Sequence, residues 1–343
     1  MDAQKNGTTV AAGLVLGAVV LWGTVGPAQV LADTSLGPAA LGGWRLLVGG
    51  MALGVFAARN PVGLRALTPR SAWWPLLVCT LSTGLYQVAF LYSVSRTGAA
   101  LATVVALGTA PAATGLCARW ATGERVGTGW LVSTGAALVG CALLLAPGSD
   151  AVDVPGLLLG VVAGICYGLY TVFAKRLASD NPAVHLPTVA AVSLTAGGLM
   201  LVPWMATDTA GLSDARSLGL IAWLGLATTA AAYWLFSTGL ARLSAATVGT
   251  LSLAEPLAAA LLGVLVLGEH LSAIALAGCA LLLGGLAAVS LPRPRRASRT
   301  TTTERTGRAP DSRSAPVLGA QAATPAPLPP ASGDRCEVVR DSG

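Results

Sequence analysis

The stretch AEPLAAALLGVLVLGEHL, Ala254 to Leu271, places an acid and a proline, Glu255 and Pro256, inside an apolar run that a second acid, Glu269, closes. An apolar helix rising 1.5 Å per residue needs about 20 residues to cross a hydrocarbon layer about 30 Å thick. The run Ser244–Leu267 is that long, so it reads as a membrane span with a charge embedded in it. The whole chain shares this solvent preference. Of its 343 residues 10% are charged and 54% hydrophobic, with a mean hydropathy of +0.70, whereas a soluble domain carries about a quarter charged residues.

Nine further runs of similar length stand at Val10–Leu31, Pro38–Ala58, Ala72–Val94, Gly98–Ala118, Thr128–Ala146, Val154–Leu177, Val184–Ala206, Leu218–Leu240 and Ser272–Leu291. None alternates as a barrel strand does, so the fold class is all-α: a polytopic membrane protein with ten transmembrane helices. Val10–Leu31 exceeds the apolar region of a secretory signal and is read as the first helix. Lys5, Arg59, Arg65, Arg70, Arg119, Arg125, Lys175, Arg176, Arg242, Arg293, Arg295, Arg296 and Arg299 fall on one side, against Arg96 and Arg216 on the other. That asymmetry predicts a plasma-membrane protein with both termini cytoplasmic.

After Leu291 the chain turns basic, then rich in Pro, Ala and Ser, and residues 292–343 are expected to form a disordered cytoplasmic tail. Its basic start suits either a topological anchor or contact with anionic lipid. The basic balance, pI ≈ 9.3, belongs mainly to loops and tail and implies no nucleic-acid partner. Cys79, Cys117, Cys141, Cys166, Cys279 and Cys336 form no ligand-spaced cluster, and His185 and His270 have no ligand-spaced neighbours, so neither a metal nor a cofactor is expected.

The chain also repeats itself. Pro111 precedes Gly123 and Glu124 as Pro256 precedes Gly268 and Glu269, a shift of 256 − 111 = 145 residues. GLVLG at Gly13–Gly17 answers GLLLG at Gly156–Gly160 with a similar shift, as Tyr86 answers Tyr233. The verbatim GCALLL at Gly140 and Gly278 is out of this register and reads as apolar low complexity. Five spans per copy is an odd number, so the second copy enters the membrane from the opposite side. The expectation is two inverted repeats, residues 10–146 and 154–291, the symmetry that lets a fold open alternately to either side.

These features together resemble the EamA-like transporters of the drug/metabolite transporter superfamily. The residues carrying the resemblance are the two P…GE segments, the EP pair Glu255 and Pro256, LWG at Leu21–Gly23 and WRLLVGG at Trp44–Gly50. The resemblance implies ten helices in two five-helix repeats and export or exchange of small metabolites. One departure stands out: Ala110 occupies the position that Glu255 holds in the second copy.

Glu255 lies eleven residues into its run, near the membrane midplane, where an unpaired charge costs about 3 kcal/mol. Pro256 removes an amide donor and frees the Ser252 carbonyl, marking a helix break that Pro111 mirrors. Three readings of Glu255 stand open: a substrate or proton-coupling group, a structural ion pair, and a solvated loop acid. Arg45, seven residues inside the second run, either pairs with Glu255 or reaches headgroups and backbone carbonyls. Tyr86, Tyr233 and Trp234, with Tyr167, Tyr170 and Trp22 of LWG, are candidates to line a site or to serve as packing. Trp73, Trp74, Trp120 and Trp130 read as interface anchors, and Glu124 and Glu269 as helix-end residues. Gly156, Gly160, Gly164 and Gly168 mark a close helix contact within the bundle or in a homodimer, with Gly13 and Gly17 beginning the same face in the other copy.

No nucleotide-binding loop or hydrolase motif occurs, and the chain's two lysines, Lys5 and Lys175, sit in neither. The expected function is a secondary transporter, an exporter of a small organic metabolite such as an amino acid, with protons as a candidate coupling ion. A passive pore of the same fold and a non-transporting scaffold are the alternatives.

Overall fold

The computed structural model describes residues 2–59, 61–121, 123, 127–144, 153–268, 270 and 272–290. The expected tail, Glu124, Glu269 and Cys336 lie outside them. All regular structure among the described residues is helical. The first half comprises α1 (Asp2–Gly23), α2 (Val25–Ala32), α3 (Pro38–Ala58), α4 (Pro61–Arg65), α5 (Arg70–Thr97), α6 (Ala99–Ala121) and α7 (Thr128–Leu144). The second comprises α8 (Val154–Asp180), α9 (Leu186–Leu199), α10 (Val202–Thr207), α11 (Ala215–Ala222), a π-helical stretch (Trp223–Ala231), α12 (Ala232–Leu240), α13 (Ala245–Leu251), α14 (Ala254–Leu267) and α15 (Ala273–Ser290). Among the described residues 7 helical segments are long and apolar enough to cross a membrane, and three shorter apolar helices accompany them.

Several runs expected to be continuous are interrupted, each for a local reason. Thr24 parts α1 from α2, its hydroxyl bonding back to the Leu21 carbonyl at 2.7 Å. The seventh run gives a 14-residue α9 and then turns at Met200–Leu201. Pro203, in the first turn of α10, lacks the N–H that would continue the ladder to Leu199. The ninth run breaks at Ser252–Leu253, before Pro256, where the Ser252 carbonyl accepts the Glu255 N–H at 3.1 Å. That carbonyl, expected to be free, is therefore satisfied. Pro111 differs from its counterpart: α6 runs through it unbroken.

The main contacts pair up when the first five expected spans are exchanged with the last five. α5 packs on α8 as α1 packs on α12, and α6 packs on α8 as α1 packs on α14. The π stretch lies on α3 as α9 lies on α5, while α3–α9 and α7–α15 map onto themselves. Glycines carry the closest approaches. A Cβ on Gly23 would come within 2.7 Å of Ala258, and one on Gly168 within 2.9 Å of Ala113. Both glycines and both alanines are 145 residues apart (168 − 23 and 258 − 113). Gly140 abuts Leu282 and Gly278, and Gly285 abuts Ala137 and Ser133, again with a shift of 285 − 140 = 145. Gly140 and Gly278 are thus neighbours across the α7–α15 contact and not equivalents in the repeat.

Gly156, Gly160, Gly164 and Gly168 lie against α5 and α6, where Cβ atoms would meet Arg96 and Thr97, Ser93 and Val105, Ala106 and Thr109, and Ala113 and Thr114. The stripe is filled within the chain, which removes it as a protomer contact. Gly13 and Gly17 do not repeat it. Gly13 has nothing within 4 Å and Gly17 only Leu235 at 3.6 Å. In the corresponding α1–α12 contact the bare backbone comes from the other helix, at Gly239 against Val15 and Ala11. Trp73, Trp74 and Trp120 are exposed, but Trp130 is no simple anchor: its ring packs on Gly115 and its Nε1 donates to the Ala246 carbonyl at 3.2 Å.

At the start of α8 the Asp153 carboxylate accepts the Gly156 N–H at 2.6 Å and two Arg96 donors at 3.0 and 3.2 Å, tying α5 to α8. The Arg96 bonds first, and the Gly156 N–H second, hold its carboxyl below its ordinary range. A depressed folded-state value stabilises above the unfolded pKa, about 3.9, and that contribution is lost as pH falls through the lower folded value. Asp153→Asn should therefore lower the unfolding temperature in detergent at pH 7, and the gap from wild type should close in acid. Gly164→Ala, which drives a methyl into the Ala106 carbonyl, should destabilise by about 1–3 kcal/mol. Gly13→Ala, with open space around it, should be neutral or slightly stabilising in the same tryptophan-fluorescence melt.

Candidate functional site

α3, α5, α8, the π stretch, α12 and the first turn of α14 enclose a cavity of about 1100 Å³, counted to its open mouth. Val25, Gln29 and Pro38, which flank the 33–37 connection, belong to its lining. No described residue of the 59–69 or 241–244 connections does, so the cavity reaches toward one end of the bundle. Beneath it Trp22, Tyr233 and Phe236 cluster with ring centroids 5.4–6.1 Å apart, joined by Tyr167 and Tyr170. Phe236 at the centre of this floor is 1% exposed.

The break in the ninth run decides where Glu255 points. Because α13 ends at Leu251 and α14 starts at Ala254, Glu255 sits in the first turn of a new helix, not in the middle of an old one. Pro256 follows in that turn, where an amide donor is not needed. The positive end of the α14 dipole favours a negative charge in this turn. Ser252, at the break, bonds the Tyr167 hydroxyl of α8 and its own Val248 carbonyl. The carboxylate itself lines the cavity, only partly buried because that space is open.

Arg45 enters from α3. Its Nε points to the Thr229 hydroxyl at 3.4 Å, and Thr229 belongs to the π stretch, where it also bonds the Leu224 carbonyl five residues back. The π register thus brings Thr229 behind the guanidinium and leaves the two terminal amino groups for the cavity. Among the described residues the ion pairs are Arg96–Asp153 and Arg176–Asp180, so Arg45 and Glu255 share the cavity without pairing.

Gln87 and Ser82 of α5 also line the cavity, 7% and 5% exposed. Among the described residues neither side chain has a hydrogen-bond partner. The Gln87 amide lies over Gly42, one helical turn before Arg45, in the space a Cβ would fill. Tyr86, stacked on Phe90 at 5.7 Å, completes this wall.

Of the residues singled out from sequence, the structure brings Glu255, Arg45, Tyr86, Tyr233 and Trp22 to one cavity. It leaves Trp234 outside, 39% exposed and edge-on to Phe56 at 6.5 Å. Pro256 sits beside the cavity at the α14 start, Pro111 within α6, and the glycine stripe behind α8. Sequence reasoning missed Gln87, Ser82 and Thr229. Gln87, an uncharged amide deep in an apolar run, was a usable signal. Thr229 was not, since its role depends on the π register.

Matches to known proteins agree with this architecture. The EamA-like transporter family model matches residues 9–146 and again 154–291. The chain is 36% identical over 283 residues to the "Uncharacterized transporter YwfM" of Bacillus subtilis, covering 80% of this chain and 92% of that protein. It is 27% identical over 245 residues to a "Probable terminal-alkyne amino-acid exporter" of Streptantibioticus cattleyicolor, covering 70% and 80% respectively. A crystal structure with 22% identity shares the fold, with a TM-score of 0.70 over 81% of this chain and 96% of that one. The chain belongs to the EamA-like transporter family. It is therefore a multi-pass membrane transporter of a small-molecule substrate and not an enzyme.

Whether the cavity holds water is testable with thiol chemistry. After replacement of all six cysteines, Gln87→Cys should react with a small charged methanethiosulfonate at least about tenfold faster than Ala163→Cys, since only accessible thiols are attacked. Ala163 is 0% exposed.

Proposed function

We propose that the chain is a secondary transporter that exports a small organic zwitterion, an amino acid or related compound, by alternating access around the central cavity. The observation that carries this reading is one cavity holding a cation and an anion that do not neutralise each other. The free edge of Arg45, with the Gln87 amide one turn away, suits a carboxylate. Glu255 suits an ammonium, and the faces of Trp22 and Tyr233 add cation–π attraction. The similarity to an exporter whose name specifies an amino acid supports both the substrate class and the direction.

Alternating access is supported by exchange symmetry. Ten spans in two inverted copies account for the double family match, for the paired helix contacts and for the glycine contacts 145 residues apart. The symmetry is broken in one place that matters. α1 and α14 pack together, and the spans they belong to are both interrupted, whereas their counterparts α8 and α6 pack together uninterrupted. Exchanging bent and straight pairs would move the opening from one end of the bundle to the other. The excess of basic residues in alternate loops supports cytoplasmic termini, and with them a cytoplasmic closed end. Glu255, an acid in the cavity without a counterpart in the first copy, is the group through which protons would couple to transport.

Counterflow in proteoliposomes tests this reading. Unlabelled amino acid trapped inside should accelerate entry of labelled amino acid. Glu255→Gln and Arg45→Gln should each slow exchange at least about tenfold, as expected for loss of one charged hydrogen-bonded contact, and Trp234→Phe should not. Glu255→Gln should also abolish any dependence on a pH gradient. Flux without counterflow would identify a passive pore, and unchanged exchange in Glu255→Gln would remove that acid from the mechanism.

A further inference from the structure

A second crevice lies at the opposite end of the bundle from the cavity mouth, between the end of α3, the α8–α9 connection and the end of α12. It holds about 890 Å³ of empty space. Its floor is apolar and buried, with Ala57, Val184 and Leu186 at 3–5% exposure. Its rim carries Phe56 and Trp234, edge to face and exposed at 52% and 39%. Among the described residues no acid lines it, but Arg242 and His185 do.

Two of its polar groups have no partner among the described residues. Thr188 is 2% exposed, lines the crevice, and among the described residues its hydroxyl has no hydrogen-bond partner. The Arg242 guanidinium likewise forms no ion pair or hydrogen bond among the described residues. A hydroxyl that bonds nothing within the bundle is available to a ligand in the space it faces. Here the open side is a crevice that also contains a guanidinium and an imidazole. Gly63 supports the arrangement, because a Cβ there would meet the His185 ring at 3.0 Å and the Thr188 hydroxyl at 3.2 Å.

We propose that this crevice is a binding site for one anionic phospholipid, with the phosphate taken by Arg242, His185 and Thr188 and the acyl chains lying along Phe56 and Trp234. The ligand has to be both anionic and apolar. Three donors without an acid match a phosphate, while the exposed aromatic pair offers a surface that a small soluble anion would leave uncovered. Aromatic rings and a basic residue at the end of a bundle are where headgroup meets acyl chain. Trp234, which does not reach the central cavity, finds its contact here.

Native mass spectrometry of the delipidated full chain, offered equal amounts of phosphatidylglycerol and phosphatidylcholine, reads the site directly. Wild type should retain one phosphatidylglycerol in clear preference. Arg242→Gln should reduce that preference about fivefold, the loss of one near-surface charge contact, and Thr188→Val should reduce it further in combination. Trp234→Ala should loosen both lipids, because it removes acyl-chain contact and not charge. An unchanged unfolding temperature in lipid-free detergent confirms that the variants are folded. The proposal is overturned if wild type shows no preference, if Arg242→Gln and Thr188→Val together leave it intact, or if soluble glycerol phosphate at the lipid's concentration displaces the lipid.

Discussion

An ionised side chain inside a hydrocarbon layer is tolerated only where water, a partner or the end of a helix receives it, and two such residues organise the middle of this protein. A charge at the bilayer centre costs about 3 kcal/mol even on the lenient scale of membrane insertion. Glu255 meets the requirement by starting a helix: the chain breaks at Ser252–Leu253, and the carboxylate stands in the first turn of α14, at the positive end of its dipole and beside open space. Arg45 meets it with a π-helical register that turns Thr229 toward its Nε. Both solutions spend regular α-helix to hold a charge beside open space. The cavity follows from them.

Around that polar centre the helices are drawn together by the absence of side chains. The contact between α8 and α6 depends on Gly164 and Gly168, its counterpart between α1 and α14 on Gly23, and the crossing of α7 and α15 on Gly140 and Gly285. In lipid no hydrophobic force distinguishes a helix neighbour from an acyl chain, so close backbone approach supplies what burial supplies in water. The same glycines keep the two copies in register, and so preserve the near-symmetry that a transporter needs. The interruptions at Thr24 and Ser252–Leu253 then mark one side of that symmetry as different from the other.

Much of this was legible in residue types. Apolar run length specified helices, the spacing of the two prolines and their following Gly-Glu pairs specified duplication, and Glu255, Arg45, Tyr86, Tyr233 and Trp22 were recognisable as costly or versatile residues in apolar surroundings. Other features were not. Pro111 and Pro256 look alike in sequence, yet only the second follows a break, because the first lies within a helix held straight against α8 while the second adjoins an acid that must be solvated. Gly13 and Gly17 copy the start of the α8 stripe, but the close contact of that pair is carried by Gly239 on the opposing helix. Trp234 is as aromatic as Trp22 and lies on the helix that carries Tyr233, one position round, which is enough to point it out of the cavity.

The sequence by itself determined the solvent, the helical class, the duplication and the family, because these depend on composition and spacing, which survive summation along the chain. The tertiary structure decided that Arg45 and Glu255 face one space without pairing, that Gln87 and Ser82 join them, and that Trp234 belongs to a different crevice. Those outcomes depend on helix rotation and on single-residue changes of register at Thr24, in the π stretch and at Ser252–Leu253. One residue on a helix is a turn of about 100°, and no pattern of residue types along a uniformly apolar run fixes which way that turn falls.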